Sequence, residues 1–332
     1  MADLSEGGRG QLLLVTALVL AVVFVSLSVV VNAAIYSENI ASRQDPSGTD
    51  ALQGRHETAV MAVDLLASVN RENNTDNATL GEGLRGGLDE TGEFVRLERA
   101  KRGSLTNTTL QTSSQNNGTI VYQNESRELT TADQSDATPG NWTVVRNVNR
   151  RAGGNGTRAF TMNLTSISGD LRILVVDYGA SDVWGLTVSG NVGAGNDITV
   201  EVDSPVSSTK NCTKTLDSGH AEIDVTGGTV AGEPCDALRG SYRFAHGVGD
   251  RYNISVENGD QATGNYSLVI RNTTAWKKAA NDSDFQLNYT KASGGAPYAR
   301  AAVYNTTVVY EYRSSELVYE TKIRVAPGEP DD

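Results

Sequence analysis

The chain has 332 residues, a formal net charge of −12 at neutral pH, and arginine outnumbering lysine about three to one. No basic patch is available to neutralise phosphates, which argues against a nucleic-acid partner, and a hydrated acidic surface with few lysines fits a protein of a salt-rich environment. Two cysteines and three scattered histidines, His56, His220 and His246, with no C-x-x-C pair, argue against zinc; no metal or other cofactor is expected.

The first element in chain order is an uncharged run from Leu12 to Val31 whose only hydroxyl side chains are Thr16, Ser26 and Ser28. Continued through Ala33, Ala34 and Ile35, it has the length needed to cross the hydrocarbon core as a helix. It predicts a transmembrane helix over 11–36, with residues 12–35 against the lipid bilayer and a cytoplasmic leader over 1–10. A secretory signal has a shorter apolar region, of about 7–15 residues, but Val31-Asn32-Ala33 satisfies the small-residue rule for cleavage, so a released protein is the competing reading. Arg9 and Arg43 nearly tie, and the positive-inside rule leaves the orientation open. Asn-x-Ser/Thr acceptor sites orient it instead. They occur at Asn73, Asn77, Asn107, Asn117, Asn124, Asn141, Asn155, Asn163, Asn211, Asn253, Asn265, Asn272, Asn281, Asn288 and Asn305, and imply glycan-accessible surface outside the cell. A Thr- and Asn-rich strand surface that forms such triplets by accident is the bland alternative.

Residues 37–103 read as a short helical stalk. Pro46 and Gly48 break any helix leaving the membrane, Asp50 reads as a cap, and Leu52, Val60, Val63, Leu66 and Ala67 recur at helical spacing. A second stripe, Leu80, Leu84, Leu88 and Val95, is interrupted by five glycines, each costing a helix about 1 kcal/mol relative to alanine; that helix needs a partner. Arg96, Arg99, Lys101 and Arg102 followed by Gly103 suit a helix C-terminus.

From Ser104 the period changes. Phe160, Met162 and Leu164, then Tyr252, Ile254 and Val256, then Tyr266, Leu268 and Ile270 alternate with polar residues, the mark of half-buried antiparallel strands. Leu171 to Gly179 is apolar on both faces and reads as a central strand. The tail reads as a hairpin turning near Ser314 and Ser315, with Leu317, Tyr319, Ile323 and Val325 on one face of its second arm. The expected fold is α+β: one amino-terminal membrane helix, a helical stalk, then a mainly antiparallel β-sandwich-like extracellular region over 104–326, as one large or two small sandwiches, and an acidic tail over 327–332.

Chemistry is sparse. Cys212 and Cys235 predict one disulfide closing a loop of about two dozen residues, worth about 3 kcal/mol. Gly81 to Gly86 matches G-x-G-x-x-G but lacks the preceding strand that a dinucleotide site needs. Asp197, Glu201 and Asp203, and Asp282 with Asp284, offer oxygens to a hard cation, with solvated surface as the plainer reading. Tyr298, Tyr304, Tyr310, Tyr312 and Tyr319 form a tyrosine-rich stretch open to a partner or a sugar, or simply packed strand aromatics. Nothing singles out a Ser/His/Asp triad.

Arg9-Gly10-Gln11 directly before the apolar run resembles the processing site of archaeal prepilins and related class III signal sequences. The resemblance implies cleavage after Gly10, with Gln11 as the new amino terminus and the apolar helix retained. Where pilins carry a glutamate at the fifth mature position this chain has Val15, so the ion pair that orders pilin filaments has no carboxylate. The wider arrangement, from "NAAIYSEN" through two helices to strands ending in "IRVAPGEP", resembles uncharacterised haloarchaeal membrane-anchored surface proteins. Three functions follow as expectations: a structural or interaction role at the cell surface, of minor-pilin type and with pilin-like or other surface proteins as partners; a glycan- or cation-binding module; and a membrane-anchored ecto-hydrolase.

Overall fold

A computed structural model describes residues 17–32, 46–71, 77–131, 140–150, 156–179, 181–271 and 297–328. The fold is α+β, and every strand pairing among the described residues is antiparallel. The chain divides into two units, residues 1–54 and residues 55–332. In the first, residues 17–32 form helix α1 with every side chain exposed. The predicted membrane span of 11–36 extends past the described residues at both ends; among the described residues no helix is long and apolar enough to cross a membrane.

Helix α2 runs Pro46–Arg71 and α3 runs Asn77–Ala100. Two expectations for α2 are corrected. It starts at Pro46 rather than at an Asp50 cap, because proline is tolerated in the first turn, where its missing N–H would have had no helical partner. Its inward face is Thr58, Ala62, Leu66, Val69 and Asn70, while Leu52 and Val60 are exposed. Small residues face inward there because the helix lies close to its neighbours: a Cβ on Gly87 of α3 would meet Leu65. On α3, Leu80, Leu84 and Leu88 are buried as expected from their four-residue spacing. The helix ends in a Schellman motif, with Ser104 N–H donating to Arg99 O and Gly103 N–H to Ala100 O, and Gly103 at φ +82°.

The strands are β1 (Leu105–Leu110), β2 (Asn116–Glu128), β3 (Trp142–Asn149), β4 (Thr157–Ile167), β5 (Leu171–Asp177), β6 (Val183–Gly190), β7 (Asp197–Ser204), β8 (Ser207–Thr215), β9 (Ala221–Asp224), β10 (Thr229–Val230), β11 (Glu233–Pro234), β12 (Arg251–Glu257), β13 (Ala262–Ile270), β14 (Tyr298–Arg313) and β15 (Val318–Val325). A nine-stranded sheet has the order β1-β14-β2-β13-β4-β9-β10-β11, with β15 also paired to β14; a six-stranded sheet has the order β3-β12-β5-β6-β7-β8. Their inner faces share one core. Tyr252, Ile254, Val256, Leu171, Ile173, Val175, Trp184, Leu186 and Val188 come from the six-stranded sheet, and Phe160, Met162, Leu164, Ile223, Tyr266, Leu268 and Ile270 from the other. The alternation read at β4, β12 and β13 is the observed register, and β5 is an interior strand.

The far end of the nine-stranded sheet packs against the helices instead. Leu66, Val69, Leu80, Leu84 and Leu88 form a second cluster with Ala301, Val303, Val308 and Val325. Asn70 fastens this contact: its side-chain Nδ2 donates to Val303 O at 2.9 Å, and its Oδ1 accepts from Val303 N–H at 2.8 Å. The two helices expected over 37–103 thus lie, over residues 62–69 and 80–88, against the sheet. Their apolar faces find a partner in the sheet, which offsets the low helix propensity of the glycines in α3.

Candidate functional site

The sequence placed its candidate residues in four groups. The processing residues Arg9, Gly10 and Gln11 lie outside the described residues, as do Val15, Asn73, Asn155, Asn272, Asn281, Asn288, Asp282 and Asp284. Asn77 is the first residue of α3. The remaining groups are the apolar helix, the disulfide region and the sequon-bearing strands.

Helix α1 presents Leu18, Phe24, Val25 and Val30 at 62–65% exposure. The described part of this helix is thus apolar on every side. The hydroxyl of Ser26 donates to Val22 O at 2.8 Å within the same helix, so this polar group needs no outside partner.

Cys212 of β8 and Cys235 are joined as a disulfide with a Cα–Cα separation of 5.8 Å. The bond ties an edge strand to the short turn Asp236–Leu238, and among the described residues no free cysteine remains. Asp197, Glu201 and Asp203 sit on β7, but they do not converge. Asp197 accepts from the Thr215 hydroxyl at 2.6 Å and Asp203 from that of Thr209, and among the described residues no group of three metal-ligating side chains exists. Gly81 to Gly86 lies inside α3, and the element before it among the described residues is helix α2.

The tyrosines are packed, not displayed. Tyr298, Tyr304, Tyr310 and Tyr312 are buried, and Tyr319 is half-buried at 6.4 Å, centroid to centroid, from Tyr310. Burial pushes the Tyr298, Tyr252 and Tyr266 hydroxyls far up from the usual phenol range, so all three stay neutral.

The outer face of the nine-stranded sheet carries most of the remaining polar chemistry. There β2, β13 and β4 bring three sequons side by side. Asn163 stands directly opposite Asn265, and Asn124 lies one strand further on. The hydroxyl residues of the same triplets share that face: Ser126 pairs with Thr165 at 2.8 Å, and Ser267 with the neighbouring Thr161 at 3.1 Å. A cleft of about 440 Å³ opens beside this row, lined by Arg71, Tyr122, Asn124, Thr161, Asn265, Ser267 and Tyr298. Tyr122 and Tyr298 contact each other there, 3.9 Å between centroids.

Two residues of this face were not read from the sequence. Arg158 is buried with its guanidinium 3.7 Å from the Tyr304 ring centroid, beside Ile120, Val269 and Ala302. It reaches this face because Ala159 adopts φ +48° at a bulge in the β4–β13 pairing. The extra residue sends Arg158 outward while Phe160 stays in the core. No simple alternation announces such a bulge. Arg71, at the end of α2, lines the cleft through the packing of helix on sheet, which local sequence does not specify.

A second depression, about 260 Å³, lies between α3 and β1 and is lined by Asp89, Glu93, Arg96, Thr106 and Asn107. The basic run at the end of α3 is structural in part: Arg99 is buried and pairs with Glu57 of α2 at 2.8 Å, and Lys101 pairs with Glu98 at 2.7 Å.

Residues 6–169 match the model of a family of unknown function (DUF7261). The match begins ahead of the apolar segment, runs through α2 and α3 to just past β4, and leaves β5 to β15 outside it. No curated protein and no solved structure matches the chain.

Proposed function

We propose that the protein is a single-pass, membrane-anchored surface protein whose carboxy-terminal body lies outside the cell and has a structural or interaction role. The observation that carries this reading is the uncharged run Leu12–Val31, whose described part is a helix with its apolar side chains exposed on all sides. Two further features support it. A disulfide belongs to an oxidising compartment, and fifteen sequons, nine of them on or beside described strands, belong to a surface that glycosylation reaches. A minor-pilin-like role is the most specific version and rests on Arg9-Gly10-Gln11.

The test is intact-mass and amino-terminal peptide analysis of protein extracted from native membranes. A chain beginning at Gln11 supports the prepilin-like version. A chain beginning at Met1 or Ala2 keeps the anchor and removes the pilin component. A chain beginning near Ala34 contradicts the anchor.

A further inference from the structure

The described strand sequons sort by the number of strand neighbours each has, and the sorting bears on modification. Asn163, Asn253 and Asn265 stand on strands that are paired on both sides at that point. Asn163 faces Asn265 and Glu222. Asn253 faces Val176, and its Oδ1 accepts from Asn147 N–H of β3 at 2.9 Å. Asn265 lies in β13 between β4 and β2. All three are half-buried.

Asn107, Asn124, Asn141 and Asn211 are exposed, and each lies on or beside a described strand segment that is paired on one side only. Asn107 is on β1, which pairs only with β14, and Asn211 is on β8, which pairs only with β7. Asn141 immediately precedes β3, which pairs only with β12. Asn124 is on the part of β2 beyond Tyr122, where pairing to β14 ends. Asn117 and Asn305 fall between the two sets: both are half-buried beside the β2–β14 bulge, with their Oδ1 atoms accepting from the Gln115 and Asn116 amides.

An open sheet edge is a template for pairing with another chain, and proteins blunt it with charge, proline or bulk. Two edges here have the first two devices. The outward row of β15 is Glu320, Lys322 and Arg324, and the short β11 ends in Pro234. The edges at β3 and β8 and the overhang of β2 each carry an exposed sequon instead, and so does β1, which lies against α3.

We propose, on the basis of the surface location argued under the proposed function, that Asn107, Asn124, Asn141 and Asn211 carry N-linked glycans, that those at Asn124, Asn141 and Asn211 close open edges against strand addition, and that Asn163, Asn253 and Asn265 are unmodified. The donor is a lipid-phosphate-linked sugar. The asparagine Nδ2 bonds to the anomeric carbon, the bond from that carbon to the phosphate oxygen breaks, and the departing lipid phosphate takes the proton lost by Nδ2. At Asn141 the Oδ1 accepts from Asn258 N–H at 2.8 Å, which leaves Nδ2 to bear the sugar. At the Asn163–Asn265 pair, opposed side chains stand about 5 Å apart at Cβ, so a sugar on either would displace the other amide.

The experiment is site-resolved glycopeptide mass spectrometry of the protein from native membranes. It is run beside protease treatment of intact cells, which reports separately whether the body is outside. The expected result is sugar mass at Asn107, Asn124, Asn141 and Asn211 and none at Asn163, Asn253 or Asn265. An Asn124→Gln/Asn211→Gln variant with unchanged thermal unfolding is then expected to self-associate in sedimentation, where the glycosylated protein does not. Sugar at any of the three interior sites overturns the proposal. Bare asparagines at all four edge sites, in a body cleaved from outside, overturn it and leave the surface reading intact. A body protected from external protease overturns the surface reading itself.

Discussion

Between its two sheets the chain buries large side chains, with Trp184 and Tyr252 from strands and Phe244 from the turn before β12 in edge-to-face contact at 5.3 and 6.3 Å. Under α2 and α3 the buried face is leucine set against alanine, valine and glycine, with Asn70 as a polar fastener. The two cores belong to one unit and share the nine-stranded sheet, yet they solve different problems. Sheet on sheet leaves a thick layer to be filled by bulk; helix on sheet requires close approach, so small residues appear where the helix comes nearest.

The largest expected effect is on the sandwich side. Trp184 is fully buried and its Nε1 donates to Tyr242 O at 3.1 Å, so Trp184→Ala is expected to cost about 3–5 kcal/mol in urea unfolding. Leu84→Ala in the helical core is expected to cost about 2–3 kcal/mol, because it removes a smaller buried side chain and no hydrogen bond. If Leu84→Ala proves the costlier, the comparison fails. Next comes the crosslink: replacing Cys212 and Cys235 by serine is expected to lose about 3 kcal/mol of stability by loop entropy, read by the same unfolding curves.

The glycines of α3 sharpen the comparison further. A Cβ on Gly87 would press on the Leu65 side chain, while one on Gly86 meets nothing within 4 Å. Gly87→Ala is expected to destabilise by about 1–2 kcal/mol; Gly86→Ala, on the solvent face, is expected to stabilise by about 0.5–1 kcal/mol through helix propensity and the unfolded chain. Equal effects at the two positions would mean that the helices are not in close contact.

The smallest expected effect is a pH dependence. Burial, followed by the Arg243 and Arg150 charges, holds the His246 imidazole below its ordinary value. Its folded value is thus below its unfolded value, so the stability it contributes is present above about pH 6.5 and is lost as pH falls from there through the lowered folded value. A His246→Gln variant should show a flatter melting temperature across that window.

Legibility in the sequence divides along the same line. The strand faces at Phe160, Tyr252 and Tyr266, the final hairpin and the disulfide partners were readable because a period of two, a turn and a pair of cysteines are local signals. The inward face of α2 was not: Leu52 and Val60 looked like a stripe, but α2 turns Thr58, Ala62 and Asn70 inward, and only the docked sheet gives that reason. Arg158 and the cleft beside the sequon row were hidden for a related cause, since a bulge and a helix–sheet contact are set by neighbours distant in sequence. The sequons were legible as triplets, but not as edge and interior sets, because strand order is a long-range property.

The most direct test of the surface reading is protease shaving of intact cells, followed by peptide mass analysis of both the released and the membrane fractions. The expected result is release of peptides from 105–325 while the segment containing Leu12–Val31 stays with the membrane. Full protection of the body, or recovery of the apolar segment in the soluble fraction, would contradict it.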